Sequence, residues 1–210
     1  MPVTGLKRLF TAMGNYASHP NPRESVANTV SLLIVSNQPF YPLYLYWAVS
    51  PVVGPSFLTF LSTPLFAVVP AVMRRSSKLG RCLLLSAGIG NTLLCRFVFG
   101  SASGVETFLF PCLMLAILLF RRDEHLYAAG FTVLCFAVYA LPVDAMAGPL
   151  HIYLPQEYAA LQRLNFLSAA SLTVLIGWLF ARRQPDGPAG MKPERANKRR
   201  SGTTCGKDIA

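Results

Sequence analysis

The sequence predicts an all-α polytopic membrane protein, a bundle of six transmembrane helices with a disordered basic C-terminal tail. Three observations carry that expectation. Of the 210 residues, 53% are hydrophobic and 13% charged, whereas soluble chains average about 25% charged, so a water-facing surface would be short of ions. Hydrocarbon about 30 Å thick takes about 20 mostly apolar residues at about 1.5 Å rise, and six stretches approach that size. Lys and Arg, finally, fall in every second connection. The abundance of Leu, Ile, Val and Phe excludes disorder for most of the length, and no collagen or heptad period runs through it.

Residues 1–28 form a polar leader carrying Lys7, Arg8 and Arg23. Leu6, Leu9, Phe10 and Met13 recur on one helical face with Lys7 and Arg8 off it, the pattern of a short interfacial helix. A full-length apolar run with no small-residue cleavage site follows, so the leader is not expected to be a cleaved signal peptide. The transmembrane domain spans 29–183, with apolar runs at 30–49, 56–73, 82–99, 106–120, 126–143 and 164–181. In the first run Asn37, Gln38, Pro39 and Pro42 predict a kink or local unwinding. Pro64, Pro70 and Pro111 predict further kinks in the second and fourth. Pro155 suits the first turn of a helix that continues through Gln156 and Glu157 into the sixth run and protrudes outward by about two turns. Residues 184–210 hold little to bury and should be disordered.

Seventeen of the nineteen Lys and Arg fall in the leader, in the links after the second and fourth runs (Arg74, Arg75, Lys78 and Arg81; Arg121 and Arg122), or after the sixth. Cytoplasmic loops retain such residues, so six crossings with both termini in the cytoplasm are expected, in a bacterial inner membrane. Tyr41, Tyr44, Tyr46 and Trp47 near the outer end of the first run, and Trp178 and Phe180 near the inner end of the last, fit headgroup belts. The net charge of +10 is therefore a topology signal, and nucleic acid is not an expected partner because the bases form no single stripe. The expected partners are the bilayer, anionic headgroups drawn to the basic loops and tail at about 1 kcal/mol per cation, and a second copy or a cytoplasmic signalling protein.

Ionisable groups within membrane spans are costly, which makes each a candidate site. Arg96 near the end of the third run and Glu106 at the start of the fourth lie across a short turn, close enough to pair. Their functional reading is a sensor at an outer mouth shared with Asp144 and Glu157; their structural reading is a snorkelling, neutralised Arg. Asn37, Gln38, Asn91 and Asn165 are amides at membrane depth and complete the candidate ligand-binding set. Asn91 and Asn165, with Ser168 and Ser171, are expected to form a hydrogen-bonded seam between helices, and Ser86 and Gly90 a close-packing face.

No catalytic residue, metal site or cofactor is expected. His19, His125 and His151 lie in loops or flanks and supply no axial pair for haem, and no H-E-x-x-H motif occurs. Gly54-Pro55-Ser56 lacks the second Gly of a serine-hydrolase elbow, and Gly88-Ile89-Gly90 continues into no dinucleotide fingerprint. The run centres contain no Asp or Glu. Cys82, Cys95, Cys112, Cys135 and Cys205 show no paired spacing and read as small apolar residues.

The stretch Asn37-Gln38-Pro39-Phe40-Tyr41-Pro42-Leu43-Tyr44, the basic hinge Arg121-Arg122-Asp123-Glu124-His125 after a Pro111-containing run, and Leu164-Asn165-Phe166-Leu167-Ser168 leading to Arg182-Arg183 resemble the six-helix membrane domains of bacterial signalling proteins. Class III adenylate cyclases, sensor histidine kinases and diguanylate cyclases carry such domains, and the resemblance covers about residues 28–183. It implies sensing, anchoring and dimerisation by a stand-alone or truncated version, because a Pro/Gly-rich tail stands where a catalytic module would begin. A small-solute transporter or channel, with the four amides lining a polar path, is the alternative expectation.

Overall fold

The computed structural model of the protein describes residues 2–183 except Ala147, with the side chains of residues 2–6, 9 and 10 outside the description. The tail at 184–210 and the face built on Leu6, Leu9 and Phe10 therefore lie outside the described residues. Every regular element among those described is helical. In chain order they are α1 (Pro2–Ala17), α2 (Pro22–Asn37), α3 (Tyr41–Ala48), α4 (Thr63–Arg75), α5 (Ser77–Phe99), α6 (Leu109–Leu119), α7 (His125–Ala140), α8 (Val143–Met146) and α9 (Pro155–Arg183). Tight 3-10 turns join several of them, at Gln38–Phe40, Gly54–Ser62, Ser101–Ser103, Val105–Phe108 and Arg122–Glu124.

Local chemistry explains the boundaries. Asn21 caps α2, its side chain accepting from the Arg23 amide at 3.0 Å, and Pro22 occupies the first turn where a missing N–H costs nothing. Pro39 and Pro42 then force the expected break, a 3-10 turn dividing α2 from α3. Only Ser76 separates α4 from α5, and it caps α5 through the Leu79 amide. That hairpin closes tightly because Gly80 has no side chain; a Cβ there would lie 2.7 Å from Met73 Cα. At the other end of α5 the chain turns through Gly100 and Gly104, with φ of 77° and 70°, which L side chains adopt at a cost.

Two apolar clusters hold the bundle. The larger joins Val26 and Val30 of α2 to Phe66, Leu84, Leu115, Leu119, Phe120 and Ile176. The smaller joins Leu45, Cys95, Val98, Phe99, Val105, Tyr153 and Leu161 at the opposite end. α2 is the central element, with Val26, Ala27, Asn28, Val30 and Ser31 all at 0% exposure. Arg74 reaches back to the Tyr16 carbonyl at 2.8 Å, and the Asn28 amide donates to the Ala17 carbonyl, which ties α1 to the same end.

Among the described residues, three helical stretches are long and apolar enough to cross a membrane: Gly54–Arg75, Ser77–Phe99 and Pro155–Arg182, with mean hydropathy of 1.7 to 1.8. The expectation of six such spans is not met by length. The first run is divided at Gln38–Phe40, Val105–Leu119 is too short, and α7 has 16 residues, about 24 Å at helical rise. The first run also starts earlier than expected, at Pro22, and its first half is enclosed by protein, which is why it tolerates Asn28, Thr29 and Ser31. α9 opens at Pro155 as the sequence predicts, and only 17% of its apolar window is buried. Trp47, Leu126, Ile152 and Val174 are each more than 70% exposed. Outward-facing hydrocarbon on this scale suits lipid and not water.

Other expectations are corrected. Tyr41 belongs to no headgroup belt: it is half-buried and turned inward, its hydroxyl donating to Asn165 Oδ1. Pro64 makes no kink inside a helix; it sits in the first turn of α4, where the preceding 3-10 segment becomes α-helical. Arg81 is no loop cation. It lies in α5 at 4% exposure, making a two-pronged pair with Glu124 at 2.8 and 2.9 Å while donating to the Leu119 carbonyl at 2.8 Å.

This pair clips α5, α6 and α7 together at the basic end. Burial by itself would raise the Glu124 carboxyl, but the Arg121 amide and the Arg81 guanidinium outweigh it and hold the group below its ordinary 4.5. A depressed carboxylate contributes stability that is complete above the ordinary value and is lost as pH falls through the folded one. Glu124→Gln should therefore cost about 3 kcal/mol at neutral pH by leaving Arg81 buried and unpaired. Thermal unfolding in detergent should show that deficit shrinking as the pH is lowered below about 4.5, where the native pair is itself lost.

Candidate functional site

A cavity of about 460 Å³ lies within the bundle, walled by the broken first helix, α5, α6 and α9. Asn37, Gln38 and Asn91, three of the amides singled out from the sequence, line it together with Thr92, Ser168 and Ser171. No Lys, Arg, Asp or Glu is among the lining residues. Phe66, Leu84 and Leu115 of the larger apolar cluster close it toward the basic end, and Cys95 and Val105 of the smaller one close it toward the other. Its rim residues Leu33 and Tyr44, on α2 and α3, and Leu167 on α9 are exposed at 40%, 37% and 62%. The mouth therefore lies on the side of the bundle, between the broken helix and α9.

Polar groups around this cavity divide into satisfied and free. Gln38 is saturated: Nε2 donates to the Thr59 carbonyl at 3.0 Å and to Ser62 Oγ at 2.8 Å, and Oε1 accepts from Thr63 Oγ1 at 2.7 Å. Ser62 passes the network on to Asn91 Oδ1 at 2.8 Å. Gln38 thus ties the break in the first helix to the 3-10 segment Gly54–Ser62 and to the start of α4. By contrast Asn37, the Asn91 Nδ2 and the hydroxyls of Ser168 and Ser171 have no hydrogen-bond partner among the described residues. Helical serines usually bond back to the preceding turn, as Thr173 does to the Ala169 carbonyl at 2.8 Å on the same helix.

Asn165 is fully buried and does not line the cavity. Its Oδ1 accepts from the Tyr41 hydroxyl at 3.2 Å and its Nδ2 donates to the Ser103 carbonyl at 3.0 Å, tying α3 and the turn after α5 to α9. The expected seam of Asn91, Asn165, Ser168 and Ser171 is thus two separate networks and a free hydroxyl pair. Ser86 and Gly90, expected to pack a neighbouring helix, are exposed.

The structure brings Arg96 and Glu106 together, with Nε and Oε1 3.6 Å apart. Arg96 is 4% exposed and spends its other nitrogens on backbone carbonyls at the end of α7, donating to Val138, to Tyr139 at 3.2 Å and to Leu141 at 3.2 Å. These carbonyls lie at the end of α7 and in the turn that follows it, where carbonyls have lone pairs to spare. Asp144 receives the Ser101 hydroxyl and amide, and those bonds hold its carboxyl below the usual range. Glu157 accepts from the Leu154 amide at the start of α9. The four charged groups expected at one outer mouth are each engaged in tying the chain to itself. No three His, Cys, Asp or Glu among the described residues gather closely enough to hold a metal ion, and Cys82, Cys95, Cys112 and Cys135 are free thiols.

The hydroxyl row opposite Gln38 escaped sequence reading. Ser56, Thr59 and Ser62 recur every three residues, and a 3-10 helix of about three residues per turn stacks that period on one face. All three are buried there. The three-residue period was the available signal.

No protein-family model, curated protein or solved structure matches the chain. The site is read from its own chemistry.

Asn165→Leu should lower stability by about 2 kcal/mol, since it strands the Tyr41 hydroxyl and the Ser103 carbonyl in an apolar setting. Ser171→Ala, which removes a hydroxyl bonded to none of the described residues, should leave the stability within about 0.5 kcal/mol of wild type. Thermal melts of the two variants in the same detergent check both.

Proposed function

We propose that the chain is a multi-pass inner-membrane regulatory module that binds a small molecule within the bundle and carries no catalytic step. The observation behind this reading is the charge-free cavity, open at its side, with unpaired amide and hydroxyl groups at its wall. The broken first helix and α9 form the two walls that flank its mouth. An occupant preferring a wider separation of these walls shifts the end of α9, and the basic residues Arg182 and Arg183 with it, by its differential affinity for the two states. Signal transduction of this kind agrees with the resemblance to six-helix membrane domains of bacterial cyclases and sensor kinases. Six passes, counting the broken first helix and the two shorter ones, place every basic cluster on the cytoplasmic side and leave Arg96 and Arg163 outside that count.

The transporter alternative is disfavoured by the apolar clusters that close the cavity at both ends. Proteoliposomes containing the protein should show no flux of sugars, amino acids or ions above protein-free vesicles, and measurable flux overturns the regulatory reading. Reporter fusions after Ala48, Arg75, Phe99, Phe120, Ala140 and Arg183 should alternate between periplasmic and cytoplasmic signals, beginning with periplasmic. Two consecutive fusions on one side contradict six passes.

A further inference from the structure

We infer that the cavity is a binding site for an uncharged single-chain lipid whose head carries a hydroxyl or carbonyl group, taken up sideways from the bilayer. The inference rests on the membrane reading above and adds the chemical class and route of the ligand. Four features converge on it.

The mouth decides the route. Leu33, Tyr44 and Leu167 frame it on faces that the bundle leaves uncovered, while both ends of the cavity are closed by packed apolar side chains. A molecule reaching it therefore comes through the layer that α9 faces, which for an exposed helix of mean hydropathy 1.8 is hydrocarbon. Aqueous solutes have no comparable path.

The wall decides the head. With no charged residue lining the cavity, an ammonium, phosphate or carboxylate head would be desolvated without a counter-charge. Asn91 Nδ2 is a free donor, the hydroxyls of Ser168 and Ser171 both donate and accept, and the Asn37 amide offers a donating NH2 and an accepting carbonyl. That set matches a neutral oxygen. Gln38 and Asn165, their capacity already spent inside the protein, are excluded as ligand contacts.

The remaining surface and the size decide the tail. Apart from those groups the lining is mostly aliphatic and aromatic, and about 460 Å³ falls within the roughly 300–1,000 Å³ of sites for drug-sized ligands. This accommodates a head and one chain. Finally, unpaired polar groups facing hydrocarbon are unfavourable, so occupancy by a hydrogen-bonding head relieves a cost that a bare hydrocarbon chain does not.

The test uses the whole protein in nanodiscs and a hexadecanol bearing a mid-chain diazirine and a terminal alkyne. Photolabelling should mark peptides from α5 around Asn91 and from α9 around Ser168, and excess hexadecanol should suppress it. The same photoreactive chain lacking the hydroxyl, or ending in a carboxylate, should label these peptides far less. Asn91→Leu should weaken competition by hexadecanol roughly tenfold, the scale of one lost hydrogen bond. Ser171→Ala, which disturbs no bond within the protein, should weaken it in the same direction and serves if the Asn91 variant does not fold. Equal labelling by the hydroxyl-free chain, or unchanged competition in the variants that remain monodisperse, overturns the inference. Failure of labelling together with absent solute flux removes the ligand class and leaves the regulatory reading standing. Labelling as expected together with flux supports the ligand class and removes the regulatory reading.

Discussion

Where the first helix breaks, one buried side chain joins it to the neighbouring 3-10 segment, and the cavity wall is built beside that joint. Gln38 follows the last α-helical residue of α2 and precedes Pro39, which cannot donate a backbone hydrogen bond. Its amide turns across to the 3-10 segment Gly54–Ser62, taking Thr63 and giving to Thr59 and Ser62. The two irregular stretches are thereby joined, and Gln38, Thr59 and Asn91 all line the cavity, with the network ending at Asn91.

The same logic organises the ends of the bundle. Arg81 holds Leu119 and Glu124 at the basic end, and Arg96 holds Val138, Tyr139 and Leu141 at the other. Each guanidinium gathers carbonyls at the terminus of a neighbouring helix, so buried cations pin the helix ends. Both arginines lie on α5, and with the short Ser76 link they make α5 the element that fixes its neighbours' ends. Charge and ligand chemistry are thereby separated: the cations clamp the ends, while the neutral amides and hydroxyls face the cavity.

Much of this was legible in the sequence. The apolar runs, the break at Gln38-Pro39, the opening of α9 at Pro155 and the closeness of Arg96 to Glu106 all follow from local rules, since proline, charge and hydropathy act through nearest neighbours. Asn37, Gln38 and Asn91 were identifiable as polar groups at membrane depth. What the sequence did not disclose depends on tertiary partners. Arg81 reads as a loop cation until Glu124, 43 residues away, is placed beside it. Tyr41 reads as an interfacial aromatic until Asn165 supplies its acceptor. The bounds of the first apolar run could not be read from hydropathy, because the first half of α2 is enclosed by protein and an enclosed helix no longer needs to be uniformly apolar.

Depth and solvent at the cavity are the decisive physical facts, and a nitroxide reports both. Spin label attached at Ser171→Cys, in protein whose other cysteines are replaced and which is reconstituted in bilayers, would be relaxed by oxygen or by a water-soluble nickel chelate according to its surroundings. The account predicts strong relaxation by oxygen and little by nickel. Relaxation dominated by nickel would show water at the cavity mouth and contradict a site that faces hydrocarbon.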